Sequence, residues 1–219
     1  MNVNEYILEE IKPLRLKDTV KNAQKVFENY PITHFPVIEN NKLLGSFSED
    51  DMQTLENKED ELISHAHLLH SFFTDENATI LELLKIFADN DTNIIPALNE
   101  HKEYLGYFDL RDVLDLFSNS PFMVEESETL IIEQLKNVYS MSQIVQIIES
   151  NGGQLLGLYI SEKKENFIQV TLNIVTNEIN EIMQTFRRYD YKIISMHEND
   201  MYLKDLKNRS EYLQKYLEI

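Results

Sequence analysis

Leu44-Gly45-Ser46-Phe47-Ser48-Glu49-Asp50-Asp51 and Leu105-Gly106-Tyr107-Phe108-Asp109-Leu110-Arg111-Asp112 are one pattern written twice. Working outward toward the N-terminus, the correspondence continues with one residue fewer between the copies. Phe35-Pro36-Val37-Ile38 returns as Ile95-Pro96-Ala97-Leu98, Lys25-Val26-Phe27 as Lys85-Ile86-Phe87, and Thr19-Val20 as Thr79-Ile80. Identities are few, but residue character keeps its order over most of each copy. Self-similarity of this kind marks one supersecondary unit used twice.

Each copy predicts helix, strand, strand, helix. Val20, Ala23 and Phe27 fall at helical spacing, as do Ile80, Leu83, Leu84 and Phe87. Thr79 followed by Glu82 is a capping-box pattern, in which each side chain satisfies a free backbone N–H of the first turn. A short strand is expected after each proline, around Val37-Ile38 and Ala97-Leu98. Polar turns at 39–42 and 99–102 lead into second strands at Leu43–Phe47 and Tyr104–Phe108, and second helices start at Ser48 and Asp109.

Beyond Ser118-Asn119-Ser120-Pro121, which reads as a linker, the pattern changes. Leu130-Ile131-Ile132 and Leu155–Ile160 are strand candidates. Met141, Ile144, Val145 and Ile148 mark an amphipathic helix that Asn151-Gly152-Gly153 stops. Ile168, Val170, Leu172 and Ile174 alternate with polar residues, the period of a half-buried strand. Ile179, Ile182, Met183 and Phe186 predict a further helix, and Lys192–Met196 a last strand. Met141 and Met183 are expected in the core. The order β-α-β-β-α-β is that of a ferredoxin-like domain. Leu203, Leu206, Leu213 and Leu217 suggest a final helix over about 200–217.

The 219 residues are 42% hydrophobic and 26% charged, which is globular composition. Their formal net charge is −18, and residues 1–120 alone hold ten basic against 23 acidic residues, a net −13. Such a chain is poorly suited to nucleic acid or to anionic lipid, so neither nucleic acid nor a membrane is expected as partner. It also argues against polyphosphates unless a divalent cation comes with them. Without cysteine there are no disulfides, thiolate metal sites or cysteine nucleophiles. No apolar run reaches membrane-span length and the first residues carry no leader pattern, so a cytoplasmic location is expected.

The repeat resembles the cystathionine-β-synthase (CBS) domain, and two in tandem resemble a Bateman pair. The resemblance rests on Thr33-His34-Phe35-Pro36-Val37 and Asn93-Ile94-Ile95-Pro96-Ala97, with Gly-x-Phe-Ser-x-x-Asp at Gly45–Asp51 and Gly-x-Phe-Asp-x-x-Asp at Gly106–Asp112. The fold class is then α+β. A tandem CBS pair occupies 1–120, with repeats at about 13–55 and 73–118. An ACT-like, ferredoxin-like domain follows over 126–199, and a C-terminal helix over 200–219. The whole is similar to acetoin-utilisation-type CBS proteins. ACT domains that bind amino acids usually carry an Asp-x-x-Gly-like turn after the first strand, a pattern from which Asn137–Met141 departs.

The resemblance implies a non-enzymatic regulatory module that binds an AMP-, ADP- or ATP-type ligand, or the nucleoside, in the cleft between its repeats. In the family, the hydroxyl and the carboxylate of the Ser-x-x-Asp motif face that cleft, and the carboxylate accepts hydrogen bonds from a ribose. That nominates Ser48 and Asp51 in the first repeat. In the second it nominates Asp109 and Asp112, where an acid replaces the hydroxyl. Thr33, His34, Asn93 and Ile94 would border the base. The plainer alternative is that Ser48 and Asp109 only cap helices and that the clefts are empty in a protein-interaction module. A homodimer and a protein partner of unknown identity are expected on the same grounds. His65, His67 and His70 form a His-x-His-x-x-His cluster that reads as a polar linker helix; no metal is expected there. The acidic stretch Glu56–Glu61 reads as a solvated face, and no nucleophile–base–orienter set emerges.

Overall fold

A computed structural model describes residues 3–195 together with 200, 206, 207, 209, 210 and 212. The first copy of the repeat is α1 (Val20–Asn29), β1 (His34–Glu39), β2 (Lys42–Ser48) and α2 (Glu49–Thr54). The second begins with a short strand, β3 (Thr74–Asp75), and continues as α3 (Ile80–Asn90), β4 (Ile94–Leu98), β5 (Tyr104–Asp109) and α4 (Leu110–Ser118). Thr19, Ser48, Thr79 and Asp109 each accept a backbone N–H at a helix start, and Thr79 with Glu82 makes the full reciprocal capping box. These signals are local in sequence, which is why they could be read without the fold.

The strands begin earlier than expected and run through the prolines. Pro36 pairs with Ser46 and Pro96 with Tyr107 inside antiparallel ladders, and each ladder has an irregularity one residue beyond, at Val37/Ile38 and Ala97/Leu98. Proline removes a donor but keeps its acceptor, and the Pro36 carbonyl accepts the Leu14 N–H at 3.1 Å.

The two copies are laced together by chain segments that cross between them. Leu8 bridges Tyr107 of the second copy, and six residues later Leu14 bridges Val37 of the first. The same move recurs after α2: His70 bridges Ser46 of the first copy, and Thr74 pairs with Ala97 of the second. This accounts for the glycine in each Leu-Gly-x-Phe. A Cβ on Gly45 would stand 2.8 Å from the His70 carbonyl oxygen, and one on Gly106 would meet the Leu8 carbonyl. At the centre, equivalent residues face each other. Asn93 Oδ1 accepts the Thr33 N–H at 2.8 Å, and Thr33 Oγ1 accepts the Asn93 N–H at 3.0 Å.

The histidine cluster does not form a regular helix. Residues Leu62–Leu68 make a 3-10 stretch anchored by buried Leu62. His65 lies 3.4 Å from Asp60, and His70 has already joined the crossing segment. Among the described residues no group of three or more histidines and carboxylates is arranged to hold a metal.

The chain divides into two compact units between Asn119 and Ser120. The stretch read as a linker joins two helices: Ser118 ends α4, and Pro121 opens a short helix in the second unit, α5 (Pro121–Val124), with proline in its first turn. Its Phe122 ring lies against Gly157, and the Phe122 carbonyl accepts the Asn173 amide at 2.6 Å. The elements β6 (Glu128–Leu135), α6 (Met141–Ser150), β7 (Gln154–Lys163), β8 (Phe167–Val175), α7 (Ile179–Arg188) and β9 (Lys192–Ile193) follow in the expected order. The sheet runs β7-β8-β6-β9, antiparallel throughout, as a ferredoxin-like domain requires. Ile168, Val170, Leu172 and Ile174 of β8 join Ile144, Ile147, Ile148, Ile182, Met183 and Phe186 in one core. Met141 corrects the expectation for it. It opens α6, before the buried stripe begins, and is 45% exposed. The strand expected over 192–196 is shorter, with Met196 outside the described residues. Of the expected tail helix, residues 206, 207, 209, 210 and 212 are helical and exposed; Leu203, Leu213 and Leu217 lie outside the described residues.

Candidate functional site

A pocket of about 410 Å³ opens in the first unit where three parts of the chain converge. The start of β1 brings Thr33 and His34, the start of α2 brings Ser48, Glu49, Asp50 and Asp51, and the crossing segment brings His70. Asn90 and Asp91, at the end of α3, close it from the second copy. Asp91 takes a left-handed backbone (φ 47°) to end that helix, a conformation asparagine and aspartate tolerate better than most residues.

Two polar systems meet in this pocket. Ser48 caps α2 by accepting the Asp51 N–H at 3.1 Å and also donates its hydroxyl to Asp51 Oδ2 at 2.5 Å. The same carboxylate oxygen lies 3.0 Å from His70 Nε2. The Ser48 hydroxyl, and then the His70 imidazole, hold the Asp51 carboxyl below the usual carboxylate range. The second system is His34. It is 5% exposed, with its ring edge-on to His70 at 5.1 Å and to Phe72 at 5.2 Å. Its Nδ1 is 3.1 Å from Thr33 Oγ1, while its Nε2 is buried with no hydrogen-bond partner among the described residues. Ser46 Oγ, close by in sequence on β2, is likewise buried without one. Burial and the neighbouring His70 push the His34 imidazole down to about 4, so it is neutral at pH 7.

That shift has a measurable consequence. Unfolding releases His34 to an ordinary value of 6.5, so between about 6.5 and 4 the unfolded chain binds the extra proton. Stability from the buried neutral ring is complete above 6.5 and is lost as pH falls toward 4. The urea midpoint should fall between pH 7 and pH 5, and His34→Gln should flatten that fall. An unchanged slope in the variant would refute the assignment.

The equivalent positions of the second copy are built from other chemistry. Ile94 stands where the first copy has His34, is fully buried, and packs in the core around Phe35 and Phe47. Tyr107 stands where the first copy has Ser46; it is 3% exposed and packs in the same core. Leu8 takes the bridging place of His70. Asp109 is a helix cap, accepting the Arg111 N–H at 2.7 Å. Burial, with Asp109, Asp115 and Glu10 nearby, raises the Asp112 carboxyl instead of lowering it. Asn93 turns its amide to Thr33 and to the Pro31 carbonyl, 2.7 Å away.

Of the eight residues nominated from the sequence, the structure therefore gathers Thr33, His34, Ser48 and Asp51 around one pocket. It places Asn93 in the lock between the repeats, Ile94 in the core, and Asp109 and Asp112 at the start of α4. Sequence reasoning missed His70, Asn90 and Asp91. His70 was visible only as part of a histidine cluster, and nothing local announces that it returns to β2.

The two copies of the repeat both match one known family. Residues 3–55 and 70–119 match the CBS domain family. The inosine-5′-monophosphate dehydrogenase of Methanocaldococcus jannaschii is 25% identical over 112 residues, which cover 51% of this chain and 22% of that enzyme. The chain thus spans about a fifth of that relative's length. Among solved structures, a CBS domain pair/ACT domain protein of Thermotoga maritima aligns at 18% identity with a TM-score of 0.48, covering 53% of this chain and 96% of that one. The CBSX2 protein, solved in complex with AMP, aligns at 13% and 0.45, covering 53% and 95%. The CBS domain of a bacterial CNNM/CorC family Mg2+ transporter, solved with ATP, aligns at 18% and 0.44, covering 52% and 85%. The first half of this chain is a tandem pair of CBS domains.

Proposed function

We propose that the CBS pair is a regulatory module that binds an adenine nucleoside or nucleotide in the pocket of its first repeat. One observation carries the reading: a buried histidine with an unpartnered Nε2 and a serine-braced carboxylate line the same pocket. A buried polar atom without a partner costs free energy unless something completes it. A ribose supplies two hydroxyl donors to a carboxylate, and a base has edges for an imidazole. Asp51 would hold the ribose, with Thr33 and His34 beside the base. Thermal-shift measurements of the full chain against adenosine, AMP, ADP and ATP test the reading. A rise in melting temperature with at least one of them is expected. No shift with any of them at millimolar concentration would overturn it in favour of an interaction module with empty clefts.

Binding in this pocket would bias the arrangement of the crossing segments, since His70 belongs both to the pocket and to the segment that bridges β2. A homodimer fits the same reading. Leu81 on α3 is 70% exposed and Leu114 on α4 46%, giving these helices apolar outward positions. Light scattering at micromolar concentration should give twice the 25.8 kDa chain mass; a monomer mass would refute the dimer.

A further inference from the structure

The pocket that would hold the nucleoside is rich in carboxylates. Its lining includes Glu49, Asp50, Asp51 and Asp91, and no lysine or arginine. Of its two imidazoles, His34 is buried and His70 is engaged by Asp51. The start of α2 offers no compensation. The helix is six residues long, and its first turn already holds Glu49, Asp50 and Asp51. Two of its N–H groups are in use as well: Glu49 donates to the Thr33 carbonyl at 2.8 Å and Asp51 to Ser48 Oγ at 3.1 Å. A phosphate brought here would face carboxylates at short range with few donors to receive it.

We infer that this pocket takes its adenine ligand as a neutral or cationic nucleoside and excludes the phosphate esters unless a divalent cation accompanies them. The inference rests on the adenine reading above and specifies its charge class. The buried, unpartnered Nε2 of His34 is the feature that points to a ligand; the carboxylates decide which ligands are rejected.

Isothermal titration of the full chain in EDTA, comparing adenosine with AMP, tests it. Adenosine should bind at least tenfold more tightly than AMP, and the gap should narrow as salt is raised, because exposed charges are screened. Adding Mg2+ should restore part of the AMP affinity. Asp50→Lys, at an exposed position of the lining, should raise AMP affinity severalfold relative to adenosine affinity. AMP binding in EDTA as tightly as adenosine would overturn the inference while leaving the adenine reading intact. So would an Asp50→Lys variant whose AMP affinity does not move. Binding of neither compound to the wild type would instead overturn the adenine reading itself, and the inference with it.

Discussion

Asp51→Ala should abolish the thermal stabilisation expected from an adenine nucleoside, while the unliganded variant should melt only slightly lower. The two halves of this expectation come from different interactions. Asp51 Oδ2 is already shared by the Ser48 hydroxyl at 2.5 Å and His70 Nε2 at 3.0 Å, so the carboxylate is oriented and ionised before a ligand arrives. Ligand at a hundred times its dissociation constant stabilises the native state by about 2.7 kcal/mol, and all of that disappears with the ribose acceptor. The unliganded fold loses much less. The cap of α2 is a bond from the Asp51 backbone N–H to Ser48, which alanine keeps. What goes is one partly exposed carboxylate in the first turn of a helix, worth about 0.3–1 kcal/mol, together with its solvent-accessible bonds to the Ser48 hydroxyl and His70, which water can replace. Differential scanning fluorimetry with and without adenosine separates the two effects. A variant that keeps the full ligand shift would sink the role given to Asp51. Asp112→Ala provides the comparison: with Tyr107, Ile94 and Leu8 in place of Ser46, His34 and His70, its effect on ligand response should be small or absent.

Phe186→Ala should destabilise the second unit by about 3–5 kcal/mol, the usual cost of removing a buried phenyl ring and leaving a cavity. Phe186 is fully buried, edge-on to Tyr191 with ring centroids 5.3 Å apart, inside the single core that β6, β8, α6 and α7 enclose. For a domain of this size each kcal/mol lowers the melting temperature by about 4–8 °C, so a drop of at least about 12 °C is expected in the transition of this unit. Hydrogen exchange read by mass spectrometry should show lost protection confined to 128–193. The first unit has its own cores around Phe35 and Phe108, and its response to adenosine should persist. If protection were lost equally across both units, their independence as folding units would be disproved.

The sequence by itself determined most helix starts, strand periods and stops that neighbours along the chain govern. Helix starts at Thr19, Ser48, Thr79 and Asp109 need only a side chain three residues or fewer from the N–H it accepts. The alternation from Ile168 to Ile174 needs only the period of a strand, and the stop at Asn151-Gly152-Gly153 only a local turn. The repeat itself was legible because the two copies share these same local requirements. Tertiary structure alone decided what comes from contacts across the chain. Pro36 and Pro96 sit within strands because their ladder pairings with Ser46 and Tyr107 continue through them. Gly45 and Gly106 are glycines because a crossing backbone lies against them, and no local turn reveals that. Met141 has the spacing of a core residue yet sits beyond the buried stripe. The site divides in the same way. Ser48 and Asp51 were legible as a pair because they lie one helical turn apart. The return of His70 onto Asp51, the burial of His34 between His70 and Phe72, and the replacement of the first pocket's polar lining by Tyr107, Ile94 and Leu8 depend on segments that cross from one repeat to the other. No periodicity in the chain encodes that crossing, because it is fixed by which backbone edges are left to pair once both repeats have formed.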